Sequence, residues 1–72
     1  MENVHLLEEP IERFQLSNEF RDMCGQNMFK NLSDIVKFNV TELLGKPGFG
    51  MRILRELIHL LKENRLEDYL KD

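Results

Sequence analysis

Leu43-Leu44-Gly45-Lys46-Pro47-Gly48-Phe49-Gly50-Met51 is the stretch on which the reading of the fold depends. Pro47 has no N–H to donate and Gly48 tolerates a left-handed backbone, so a helix carrying Leu43 and Leu44 must stop there and the chain must turn. From Met51 an apolar period takes over, with Ile53, Leu54, Leu57, Ile58, Leu60 and Leu61 forming the broad stripe of a helix laid on a core. Two helices around a Pro-Gly-apolar-Gly loop make a helix-hairpin-helix pattern. Such a loop suits phosphate: its glycines permit close approach, and the first N–H groups of the second helix point outward with the positive end of the helix dipole behind them. The donors expected are the N–H groups of Phe49, Gly50 and Met51, with Lys46 and Arg52 alongside and Gly48 making the turn.

Charge singles out the same region. The 72 residues sum to −3, against a general electrostatic binder of nucleic acid, but the sum conceals a division. Residues 1–45 hold eight acids and four bases, whereas residues 46–62 hold Lys46, Arg52, Arg55 and Lys62 against Glu56 alone. The hairpin and its helix are the only net basic part, although basic residues on a surface helix also serve simply as its solvated face.

Working back toward the start, three N-caps stand out. Ser17 opens a first helix with Glu19 and Asp22 near its positive end and Phe20, Met23 and Cys24 turned inward, and Gly25 is expected to end it. Met28 and Phe29 follow as an apolar pair expected to plug the core. Asn31 with Asp34, and Asn39 with Glu42, repeat a capping-box spacing that opens two short helices. Before them, residues 1–9 read as a flexible lead-in that lays Leu6 or Leu7 on the core. Toward the end, Asn64 is the expected cap of the long helix, and residues 67–72 form a short tail. The whole reads as an all-α bundle of four to five short helices in one domain, residues 10–66, with no strand alternation.

Other chemistry finds little support. Cys24 is the single cysteine, which excludes an internal disulfide, removes the clustered thiolates of a zinc site and suits a reducing, cytoplasmic setting. No run approaches a membrane span, and residues 1–5 lack the basic start and apolar stretch of a signal peptide. His5 and His59 have no cysteine or carboxylate cluster at ligand spacing, and a thiol among Phe20, Met23 and Met28 reads as core. The expectation is a non-enzyme with no catalytic residue, metal, cofactor, membrane contact or small-molecule substrate.

Residues 10–66 resemble, without a gap, the C-terminal domain of the bacterial RNA polymerase alpha subunit. The resemblance is carried by Pro10-Ile11, Leu16-Ser17, Ser33-Asp34-Ile35-Val36, Thr41-Glu42-Leu43-Leu44, Pro47-Gly48-Phe49-Gly50 and Leu54-Arg55-Glu56-Leu57. It implies a compact helical fold ending in a helix-hairpin-helix, contact with the minor groove of A·T-rich DNA, and docking of transcription activators. It also implies a loop contact at Gly50, a basic contact at Arg52, and Gly48 in place of an asparagine. Two positions depart from the pattern. The family's principal DNA-contacting arginine falls at Glu19 and a neighbouring asparagine at Asp22, which turns attraction toward a phosphate-rimmed groove into repulsion. Since the chain begins at Met1 without an assembly domain, the expectation is a free-standing relative if this is a complete gene product.

Two functions therefore compete. In the first, the hairpin residues Lys46, Gly48, Phe49, Gly50, Met51 and Arg52 hold DNA weakly and in a salt-sensitive way. In the second, the acidic surface of Glu12, Glu19 and Asp22 docks a transcription factor or an RNA polymerase component, and DNA binding is lost.

Overall fold

The computed structural model describes residues 4–71 and contains four α-helices: α1 Asn18–Asn27, α2 Leu32–Val36, α3 Val40–Leu44 and α4 Met51–Glu63. Three 3-10 turns, Val4–Glu8, Ile11–Arg13 and Glu67–Tyr69, complete an all-α globule, and among the described residues there is no strand. Two isolated bridges, Pro10 with Asn31 and Asn39 with Lys71, tie the ends to the middle.

Each of the first three helices starts on a side chain that satisfies an otherwise orphaned donor. Ser17 accepts from the Phe20 N–H, Asn31 from that of Asp34, and Asn39 from that of Glu42. At Asn39 the Glu42 carboxylate reaches back to the Asn39 N–H and completes the box. At Asn31 the box is open, because the Asp34 carboxylate accepts from the Lys30 N–H one residue earlier.

The end of α1 corrects the sequence reading. Gly25 lies inside the helix, which runs on to Asn27 and closes at Met28 in the left-handed conformation, φ 59°. The Met28 N–H bonds the carbonyls of Cys24 and Gly25, and the Phe29 N–H bonds that of Cys24 at 2.8 Å. A glycine inside a helix costs only about 1 kcal/mol, and the closure at Met28 satisfies carbonyls of the helix's last turn. Phe29 alone enters the core, while Met28 is 79% exposed.

Among the described residues the interior is apolar. Phe20 and Met23 of α1, Leu32 and Ile35 of α2, Leu43 of α3, Leu57 and Leu61 of α4, and Leu66 beyond it are fully buried, and among the described residues no polar or charged side chain is. At roughly 1.5–3 kcal/mol for each large side chain removed from water, this cluster supplies the drive for folding. Leu6 and Leu7 both join it from the Val4–Glu8 turn, which makes residues 4–8 part of the packed body. At the other end, α4 stops at Asn64, Arg65 takes the left-handed conformation, and Leu66 turns inward as its N–H meets the Leu61 carbonyl. Residues 1–3 of the expected lead-in and residue 72 of the expected tail lie outside the described residues.

Candidate nucleic-acid interface

The α3–α4 turn is built as its sequence requires. Pro47 and Gly48 occupy the two central positions, Gly48 takes φ 74°, and the Phe49 N–H closes the turn on the Lys46 carbonyl at 3.1 Å, the arrangement of a type II turn. That bond consumes the Phe49 donor expected on a phosphate, and the Phe49 side chain is buried. Phe49 anchors the turn from below.

The N–H groups that follow are open. Among the described residues those of Gly50, Met51 and Arg52 have no acceptor, and Gly50, the N-cap of α4, carries no side chain to cap them. The contrast with the other helices is electrostatic as well. Glu19, Asp34 and Glu42 lie in the first turns of α1, α2 and α3, whereas the first turn of α4 has no acid and carries Arg52. A cation at the positive end of a helix adds to the dipole instead of offsetting it. Within α4 itself, no side chain of the first turn offsets the positive end of the helix.

The C-terminal end of α1 holds the turn in place. The Asn27 side-chain amide donates to the Met23 carbonyl on its own helix and to the Pro47 carbonyl on the turn, each at 2.9 Å. Gln26 lies over Gly48 so closely that a Cβ there would stand 3.1 Å from its amide nitrogen. Nothing local in the sequence marks Gln26 or Asn27 for this work, since they face residues some twenty positions away.

Lys46, the other basic residue of the turn, sets its ammonium 4.0 Å from the centroid of the Phe38 ring. Arg52 meets an unexpected neighbour: its Nη1 is 3.1 Å from Oε1 of Glu19. The structure thus joins one member of the basic site to one member of the competing acidic surface. Glu19 and Asp22 lie three residues apart on the same face of α1 and are exposed. Glu12 sits on the preceding 3-10 turn, near enough to Cys24 to act on it.

Glu56 of α4 crosses to the start of α1, where its carboxylate accepts from the Ser17 N–H at 2.7 Å and from the Ser17 hydroxyl at 2.6 Å. An anion therefore already occupies the start of α1. Cys24 is buried beneath, and burial first, then the charges of Glu12 and Glu56, push its thiol up to about 12. It stays protonated at neutral pH. His59 pairs with Glu63 at 3.3 Å on the exposed side of α4. Among the described residues there is no group of three metal-binding side chains, and no helix is long and apolar enough to cross a membrane.

No family model, no curated protein and no solved structure matches this chain.

Proposed function

We propose that the chain is a transcription-related DNA-binding domain that holds the phosphate backbone weakly at the rim of the minor groove through its α3–α4 helix-hairpin-helix, in the manner that the resemblance to the polymerase alpha C-terminal domain implies. The observation that carries this reading is the uncapped start of α4, where the Gly50 and Met51 N–H groups stand open beside Arg52 with no acid in the first turn. An external phosphate would supply the missing acceptor for these N–H groups. The lone buried thiol suits the reducing interior of a cell.

Arg52 must leave Glu19 to serve fully. Both side chains are exposed, and such pairs are worth about 0–1 kcal/mol, so a phosphodiester competes on even terms. Few contacts mean shallow affinity and little sequence preference.

The test is an amide NMR titration of the labelled chain with an A·T-rich duplex at low salt, repeated at higher salt. Shifts centred on residues 48–55 and lost on adding salt are expected. Unchanged spectra at a large excess of duplex would overturn the reading.

The second reading, docking of a transcription factor or polymerase component on the acidic surface, draws support from Glu12 and Asp22. Among the described residues, these exposed acids have no ion-pair partner. Reversing Asp22 to Lys would then abolish capture of a basic partner, and the parent would show no shifts in the duplex titration.

A further inference from the structure

Phe38, in the link between α2 and α3, is partly buried and packs against the buried Phe29, their ring centroids 6.1 Å apart, so its position is fixed by the core. Two lysines converge on this one ring. Lys46 Nζ lies 4.0 Å from its centroid and Lys37 Nζ 5.4 Å. Among the described residues neither ammonium has a carboxylate at ion-pair distance, whereas Arg13 and Arg52 do.

The physical situation is unusual for a surface. A ring quadrupole attracts each ammonium but neutralises neither, so two like charges are held to a common centre with no anion at ion-pair distance among the described residues. Holding the stems in place also removes part of the entropy that a free lysine loses on binding. Lys46 belongs to the α3–α4 turn as well, where its carbonyl receives the Phe49 N–H, and so the cluster is continuous with the start of α4.

We infer that Lys37, Phe38 and Lys46 form a second phosphate contact, which takes a neighbouring phosphodiester of the same DNA backbone that the start of α4 engages. The inference rests on the hairpin reading and extends its footprint to residues outside the hairpin. The cluster binds the backbone and does not stack a base, because Lys46 covers the ring and Phe29 packs against it.

The experiment is fluorescence anisotropy of the whole chain with a labelled A·T-rich duplex across a salt series. The parent is compared with Arg52→Gln, Lys37→Gln and Lys62→Gln, the last at the far end of α4. Each neutralised phosphate contributes about 0.9 to the slope of log K against log salt. Lys37→Gln is expected to lower the slope by about that amount, Arg52→Gln likewise, and Lys62→Gln to leave it unchanged. Lys37 is exposed, and an unaltered thermal melt will show that its variant is folded. A parental slope in Lys37→Gln beside a reduced one in Arg52→Gln would overturn the second contact and leave the hairpin reading standing. Equal losses in Lys37→Gln and Lys62→Gln would reduce the effect to net charge and also overturn it. Absence of binding by the parent would overturn both readings.

Discussion

Arg52 of α4 and Glu19 of α1 meet across the molecular surface, Nη1 to Oε1 at 3.1 Å, although 33 residues separate them in the chain. The pair means that the basic and acidic surfaces are one surface, and that Glu19 holds the cation an incoming phosphate would need.

Replacing Glu19 by Gln should release Arg52. Under the hairpin reading, affinity for an A·T-rich duplex at low salt rises several-fold, measured by anisotropy, while the melting transition moves little because an exposed ion pair contributes at most about 1 kcal/mol. A fall in affinity would mean that Glu19 itself assists binding, contrary to the proposed role of Arg52.

The clamp between Glu56 and Ser17 makes a separate prediction. Hydrogen bonds to a charged group are worth about 1.5–3 kcal/mol each, so Glu56→Ala should destabilise the domain well beyond an ordinary surface change. Ser17→Ala loses the Phe20 cap as well. A double-mutant cycle by urea denaturation should give a coupling of at least about 0.5 kcal/mol, and strict additivity would show that the hydroxyl–carboxylate bond carries no energy, the Ser17 N–H being kept in both backgrounds.

Core and surface of α4 should separate cleanly. Leu57 is fully buried and Arg55 exposed. Leu57→Ala should cost about 2–5 kcal/mol and Arg55→Ala almost nothing, by the same denaturation measurement.

Cys24 predicts a dependence on alkali. Its folded thiol holds the proton up to about 12 against an ordinary value of 9.0. The unfolded chain therefore releases this proton first as pH rises, and the folded state binds more protons between those values. Stability should be unaffected by this group below pH 9.0, fall above it and level off near pH 12. The comparison is between the parent and Cys24→Ala, which should lack this component of the decline. At pH 8 the native thiol should resist alkylation and react once the chain is unfolded.

How much of this was legible depended on sequence distance. Ser17, Asn31 and Asn39 announce helix starts because a cap acts on a donor three residues away, and all three caps are in place. The α4 stripe was equally plain, since burial repeats with the helix period and every residue from Ile53 to Leu61 that belongs to it lies on the core or packs against it. Gly25 misled because a glycine signals a helix end only when the chain needs positive φ there, and this chain places that conformation at Met28. The candidate site was readable only in its turn. The Asn27 bridge, the Glu56 clamp and the Arg52–Glu19 pair join residues 20 to 39 positions apart, and no local pattern encodes such meetings.

The Val40 N–H, an orphan donor at the start of α3, finds its acceptor on the Lys71 carbonyl at 2.8 Å, with Leu66 sealed into the core on the way. On a ribosome that adds about 5–20 residues per second, this has a consequence for biogenesis. The nascent chain can assemble α1 to α3 only loosely, because α4 and Leu66, which cover their apolar faces, are made after them. The native domain closes only once Lys71 has cleared the exit tunnel, so a chain cut short before residue 71 would leave the apolar faces of α1 to α3 uncovered and the Val40 donor without its acceptor.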